Sequence, residues 1–289
     1  MVAIARQIVT LSKPRIVVLL VFTGVCGTYA AAAGDPSASA LIAVIVAGAL
    51  SAAGANAINQ GLDADIDAIM KRTRERPVPA HQLRPSLAVA IGVFFVAVAV
   101  ALMGMLTNAV AALLMLAAAA VYVCVYTILL KRRSWNNIVI GGAAGAFPPL
   151  IGAAAVTGST DALGIYMFAF VFFWTPPHFW TLSILLRDDY AAANVPMLAA
   201  VASQRATAVQ ITLYIGLLLA MAWLPVVSGF GGVGFGVVTT LLSVEWLRRS
   251  KLLFGETTRQ QTLSAYKFSL LYLAIAFLAL AIEPSLPWA

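Results

Sequence analysis

Asn59, Asp63 and Asp67 stand four residues apart in the segment Asn59-Gln-Gly-Leu-Asp63-Ala-Asp65-Ile-Asp67. In an α-helix four residues turn about 400°, so each step drifts by only about 40° and the three side chains share one stripe, while Asp65 points elsewhere. Carboxylates this close together at the mouth of an apolar helix repel one another unless a cation neutralises them. Hard oxygen donors suit Mg²⁺, which is usually held by one or two carboxylates together with substrate phosphates. The pattern predicts a metal–diphosphate site; the plainer alternative is a solvated acidic loop. An EF-hand is excluded, because Ala68 stands at the sixth place, where Gly is required, and Glu75 falls one residue late.

Basic residues follow the acids: Lys71, Arg72, Arg74 and Arg76, and further on Lys131, Arg132 and Arg133. Arginine meets diphosphate oxygens in bidentate fashion and lysine meets them as a point charge. A second acidic pair, Asp188-Asp189, precedes Tyr190 and is expected on the same face as the first. Together the two acidic sites would hold two Mg²⁺ ions around one diphosphate; alone, the pair reads equally well as a helix stop. His178 lies in Trp174-Thr-Pro-Pro-His-Phe-Trp180, about eight residues or roughly 12 Å from the nearer end of its apolar stretch. An ionisable group at that depth is a functional candidate, either an axial iron ligand or a contact to a flat macrocycle. The alternative, an imidazole hydrogen-bonded between helices, carries equal weight. Pro148–Pro149 and Pro176–Pro177 are expected to break their helices and open a cavity beside them. His81 reads as a solvated loop residue, and Cys26 and Cys124, outside any CxxC or Cys/His cluster, as packing residues.

The elements that must position these groups are apolar. Of 289 residues, 62% are hydrophobic and only 10% are charged. Nine stretches, at 16–33, 38–59, 86–106, 109–130, 137–157, 162–186, 206–227, 232–247 and 266–282, are long enough to cross a hydrocarbon core about 30 Å thick. They predict an all-α polytopic membrane protein, nine transmembrane helices bundled around a central cavity, with residues 1–289 forming one domain. An open sheet is excluded in lipid, and a barrel would alternate instead of running continuously apolar. With the N-terminus inside, all 18 Lys and Arg, from Arg6, Lys13 and Arg15 onward, fall on the cytoplasmic face or at span ends touching it. The other face keeps Asp35, Asp161 and Glu283. Topology therefore accounts for the net charge of +7, and nucleic acid is not the default partner. The lack of a cleavage site or transit peptide is the expectation for a bacterial inner membrane.

The Asn59…Asp63…Asp67 motif in a nine-span chain resembles the intramembrane UbiA-type prenyltransferases. Longer strings are similar to the branch of that family that farnesylates protohaem IX: Leu11-Ser-Lys-Pro-Arg15, Asp65-Ile-Asp-Ala-Ile-Met-Lys-Arg-Thr-Arg-Glu-Arg-Pro77, Asn137 through Pro149, and Pro176-Pro-His-Phe-Trp180 with Arg187-Asp-Asp-Tyr190. The resemblance implies farnesyl diphosphate and haem B as substrates, haem O as product and Mg²⁺ as cofactor. It also implies a haem-delivery protein or haem A synthase as partner. It places Asn59, Asp63, Asp67, Lys131 and Arg132 in catalysis, with Asp63, Asp67 and Asp189 on the metal. Arg72, Arg76, Tyr126, Asn137, Trp174, His178, Asp188, Asp189 and Tyr190 become substrate-binding. Tyr126, Phe147 and Trp174 would shield an allylic cation. Two features depart from the pattern: Asp188 and Asp189 are adjacent where the wider family often has Asp-x-x-x-Asp, and Ser134 stands where many relatives carry Thr. A prenyltransferase for a quinone precursor or chlorin is the nearest rival. A transporter is the rival of another class, against which stand the missing inverted repeat and the loop position of the acids.

Overall fold

The structure, a computed structural model, describes residue 7 and residues 9–283; Arg6 lies outside them. Among the described residues the chain is helical throughout, with no strand. The long helices are α1 (Pro14–Ala31), α2 (Ala38–Leu62), α3 (Pro85–Leu106), α4 (Ala109–Leu130), α5 (Asn137–Thr157), α6 (Ala162–Leu185), α7 (Gln204–Ser228), α8 (Val233–Ser250) and α9 (Arg259–Ile282). All but α8 are long and apolar enough to span a bilayer. At the expected eighth span, α8 is present over 18 residues, but Glu245, Arg248 and Arg249 in its last turns leave it short of the others in apolarity.

Neighbours in sequence are mostly neighbours in space: α2 packs on α3, α3 on α4, α4 on α5, α5 on α6, α6 on α7, α7 on α8 and α8 on α9. Helix α1 packs against α2 and α5, and α9 lies against both α6 and α1, so the last helix returns to the first. With no hydrophobic drive between helices in lipid, close approach depends on small residues. A Cβ on Gly54 would sit 2.6 Å from the Gly92 carbonyl oxygen, so the α2–α3 crossing tolerates no side chain there. Gly27 and Gly152 bring α1 and α5 together in the same way, against the Pro149 backbone and the Gly24 carbonyl.

The surface is apolar where the spans face outward: Phe94, Leu113, Leu213 and Leu241 are each more than half exposed, and Met105 is 82% exposed. One core, rich in aromatics, joins α6, α7, α8 and α9 through Phe170, Trp180, Trp246 and Tyr272. A second, built from Ala, Val and Met, joins α2 through α5. Polar caps close the helix ends. Asn108 caps α4 and donates from Nδ2 to the Ala154 carbonyl at 2.8 Å. Glu283, expected on the face opposite the basic residues, is buried and accepts from the Gly232 and Phe235 amides at 2.9 and 3.1 Å, capping α8 from the end of α9.

The proline pairs do not break their helices. Both α5 and α6 run through them, and the irregularity in α5 falls earlier, at Gly142. Proline's fixed φ is itself helical, and here the long flanking turns carry the helix past the missing donors. A feature without a sequence signal takes the role expected of the prolines: residues Val121–Leu130 at the end of α4 are wound as a π-helix.

Candidate active site

The carboxylates sit where α2 ends. Helical hydrogen bonds continue across the end, from the Asp63 amide to the Asn59 carbonyl at 2.9 Å and from the Asp67 amide to the Asp63 carbonyl at 2.8 Å. Asp63 bends the chain there, with φ −99° and ψ 14°, before the short helix Ala64–Ile69. Asn59, Asp63 and Asp67 consequently face inward and are buried, whereas the Asp65 side chain is 65% exposed. The Thr73 hydroxyl donates to the Asp67 carbonyl at 2.8 Å and folds the basic segment back under the acids.

Four cations converge on this stripe. Lys131 Nζ reaches Asp63 Oδ2 at 2.5 Å, and Asn59 Nδ2 donates to the same oxygen at 2.6 Å. Arg76 pairs with Asp67 at 2.8 Å. Arg132 grips the exposed Asp65 through two bonds of 2.7 and 2.6 Å and stands 3.6 Å from Asp63 Oδ1. Its guanidinium holds the Asp65 carboxyl below the usual carboxylate range. The fourth cation is Lys13, at the N-terminus of α1, whose Nζ donates to Asn59 Oδ1 at 2.8 Å. Its backbone is left-handed, with φ 52° and ψ 64°, an uncommon conformation for a residue with a side chain. Burial, and then the nearby charges of Arg76 and Lys131, bring the Lys13 ammonium down to about 7.

The π-helix sets the opposite wall. Its i→i−5 pattern is visible in the Thr127 hydroxyl donating to the Tyr122 carbonyl at 2.9 Å and the Lys131 amide donating to the Tyr126 carbonyl at 2.8 Å. This winding lines up Tyr122, Tyr126, Thr127 and Lys131 beside the acids; such bulges recur at functional sites. Tyr122 and Tyr126 stack at 5.7 Å, and Asn59 Nδ2 also donates to Thr127 at 3.1 Å. The Tyr122 hydroxyl donates to Asn56 Oδ1 at 3.2 Å, and Asn56 Nδ2 in turn holds the Ser12 carbonyl at 3.1 Å, fixing the turn that carries Lys13.

Tyr190, in the short helix Arg187–Ala192, is buried on the far side, where burial raises its phenol above the ordinary value while the charge of Arg72 opposes the rise. Arg72 also lies within electrostatic reach of Tyr122, Tyr126 and Tyr266. Ile66, Met70, Ile138, Tyr190, Val195 and Met197 pack as one apolar cluster, which ties the first acidic segment to the second. Deeper in α6, His178 is 6% exposed, stacked between Trp174 at 4.3 Å and Tyr266 at 5.0 Å, with Nδ1 2.7 Å from Ser269 Oγ.

Several expectations change. Asp188 is exposed and Asp189 half-buried, and among the described residues no three His, Cys, Asp or Glu side chains converge on one point. The short helix turns Tyr190 inward instead of its acids, so Asp189 does not join Asp63 and Asp67. Asn137 is fully buried beneath the site with Nδ2 3.4 Å from the Lys131 carbonyl, so it supports the loop. Trp174 is spent on His178 and on the Ser269 carbonyl, to which Nε1 donates at 2.9 Å, and Phe147 meets Phe168 edge-on at 5.2 Å. Both faces of the His178 ring are covered, which removes stacking on a macrocycle. Cys26 is buried as expected, but Cys124 faces outward, and His81 is exposed. Sequence reading missed Lys13, Asn56, Tyr122 and Thr127 as site residues. The amide-rich string Asn56-Ala-Ile-Asn59-Gln60 near the end of an apolar helix was the available signal.

The donor set suits a hard divalent cation. Asp63 Oδ1 is sealed and has no hydrogen-bond partner, so a carboxylate oxygen keeps its lone pairs for a metal. Lys131, Arg76 and Arg132 balance the three carboxylates and Lys13 adds positive charge when protonated, so the cluster suits an anionic metal complex better than a bare metal ion.

The chain is 44% identical over 280 residues to protoheme IX farnesyltransferase of Thermus thermophilus, covering 96% of this chain and 46% of that one; it thus spans about half that relative's length. It is 44% identical over 291 residues to the protein of that name from Granulibacter bethesdensis, covering 97% and 91%, and 41% identical over 285 residues to that from Brucella ovis, with the same coverages. A digeranylgeranylglyceryl phosphate synthase structure superposes with a TM-score of 0.79 at 15% identity, covering 97% of this chain and 98% of that one. A UbiA homolog from Archaeoglobus fulgidus bound to DMAPP and Mg²⁺ superposes with a TM-score of 0.66 at 16% identity, covering 96% and 99%. These likenesses show the fold. A model of the UbiA prenyltransferase family matches residues 20–282, and the chain belongs to that family.

Proposed function

We propose that the chain transfers the farnesyl group of farnesyl diphosphate to a vinyl group of haem B, giving haem O. The observation that carries this reading is the buried Asp63, held by Lys131 and Asn59 while its second oxygen makes no hydrogen bond and has Arg132 3.6 Å away. The names of the relatives support farnesyl and haem as the two substrates.

Asp63 and Asp67 would hold Mg²⁺. Bound there, the ion neutralises charge on the departing diphosphate. Lys131, Arg76, Lys13 and Arg72 take diphosphate oxygens as charge develops on them. The C–O bond ionises to an allylic cation, which Tyr122 and Tyr126 face with their rings. The haem vinyl carbon attacks, water adds to the resulting cation, and loss of a proton leaves a hydroxyl beside the new farnesyl chain. The protein works as one membrane domain in a bacterial inner membrane, with its N-terminus and acidic motifs cytoplasmic. It passes its product to a haem-modifying enzyme such as haem A synthase.

The test is mass spectrometry of the product formed from haem and farnesyl diphosphate. Wild type is expected to form haem O only with Mg²⁺ present, and Asp63→Asn to lose about 100-fold or more in kcat. Near wild-type turnover by Asp63→Asn would sink the metal assignment.

A further inference from the structure

The hydroxyl of Ser269 has one proton, and the structure shows where it goes. Ser269 Oγ lies 2.6 Å from the carbonyl oxygen of Tyr266, one turn back on α9. A carbonyl can only accept, so the hydroxyl proton is committed to it. Toward His178 Nδ1, 2.7 Å away, the same oxygen offers only a lone pair. Nδ1 must therefore carry the ring proton, and Nε2 is the nitrogen with the free lone pair. The next carbonyl in this arrangement is also fixed, since Trp174 Nε1 donates to Ser269 O at 2.9 Å.

The ring cannot turn away from this arrangement. Trp174 at 4.3 Å and Tyr266 at 5.0 Å cover its two faces, and Phe179 meets it edge-on at 5.5 Å. Nε2 makes no hydrogen bond among the described residues. It is also absent from the six side-chain polar atoms there that are both sealed and unpartnered, so the small exposed area of the residue includes Nε2. A neutral imidazole with one nitrogen donating to a fixed acceptor and the other bare and accessible is how proteins present histidine to a metal. A purely structural histidine between two helices would satisfy both nitrogens or bury the second.

We propose that His178 binds the iron of the haem substrate through Nε2, with Ser269 as the positioning residue that fixes its tautomer. The inference rests on the proposed function in taking haem as the acceptor. The step is a dative bond from an existing lone pair, so no proton leaves. Iron ligation would fix the macrocycle so that one vinyl group meets the farnesyl cation.

The experiment is resonance Raman spectroscopy and haem titration of the detergent-purified full chain with ferrous haem. Binding of farnesyl diphosphate with Mg²⁺ is measured beside them as a check on folding. Wild type is expected to show an iron–imidazole stretching band. His178→Ala should lose the band, bind haem about 10-fold or more weakly, and regain the band with added imidazole. Ser269→Ala should keep a band at a shifted frequency with about 10-fold weaker haem binding, and Ser269→Thr, which retains the hydroxyl, should restore both. If His178→Ala fails the folding check, the Ser269 pair decides, because an unshifted band in Ser269→Ala overturns the proposal. An unchanged band in a folded His178→Ala overturns it as well. Haem farnesylation by a wild type without the band overturns ligation and leaves the proposed function standing. A wild type that binds farnesyl diphosphate but no haem overturns the function itself.

Discussion

Asp63 is held by a lysine from the end of α4 and by an amide of its own helix, and its Oδ1 makes no hydrogen bond. Lys131 stands closest, with Arg132 farther off at 3.6 Å, and losing the nearest cation of a buried carboxylate leaves its charge poorly compensated. Lys131→Met is therefore expected to lower kcat by about 100-fold and to weaken Mg²⁺-dependent binding of farnesyl diphosphate; wild-type affinity would show that Lys131 merely neutralises Asp63. Lys13 is crowded by Arg76 and Lys131, and its ammonium is brought down to about 7 in the folded chain, against 10.5 ordinarily. Between those pH values the unfolded chain binds the extra proton, so stability rises with pH across that window. Thermal unfolding of the metal-free protein at pH 6.5 and pH 9 should show this rise, and Lys13→Met should flatten it. An equal rise in the variant would assign the pH dependence to other groups.

Two kinds of element position these side chains. The first is the close crossing: Gly54 on α2 meets the Gly92 carbonyl of α3, and that contact sets where the end of α2, and so Asp63, lies. Gly54→Val would overfill the crossing, with an expected loss of about 1–3 kcal/mol and a lower unfolding midpoint in detergent. An unchanged midpoint would show that the helices can separate without cost. The second is the π-helix at Val121–Leu130, which advances the end of α4 so that Tyr122, Tyr126, Thr127 and Lys131 all reach the acidic stripe. An α-helix over the same ten residues would bring fewer of them to that side, because its side chains advance by a larger angle at each step.

At the scale of the whole molecule, the site-bearing ends gather at one end of the bundle, where Lys13 meets Asn59, Lys131 meets Asp63 and Arg72 meets Tyr190. The opposite end is closed by uncharged or acidic caps, Asn108 and Glu283 among them. Under the rule that Lys and Arg stay inside, this sidedness is the ground for the proposed cytoplasmic placement of the site. In a variant without Cys26 and Cys124, Ser159→Cys should react with a membrane-impermeant maleimide added to intact cells, and Glu256→Cys should react only after lysis; both positions are exposed, at opposite ends. Labelling of Glu256→Cys in intact cells would reverse the orientation.

The sequence by itself determined the helical, membrane-spanning class and the inward stripe of Asn59, Asp63 and Asp67. Both follow from local periodicity and from the cost of polar groups in lipid, which act within one helix. It marked the fifth and sixth spans as irregular but put the irregularity at the prolines, because proline's fixed φ does not by itself decide whether flanking turns hold. Only the tertiary structure decided that Lys13 joins the site from 46 residues away, that Tyr190 and not Asp189 turns inward, and that Ser269 aims His178. Each of those depends on a partner on another helix, and helix packing sets that distance in ways that no spacing along one segment records.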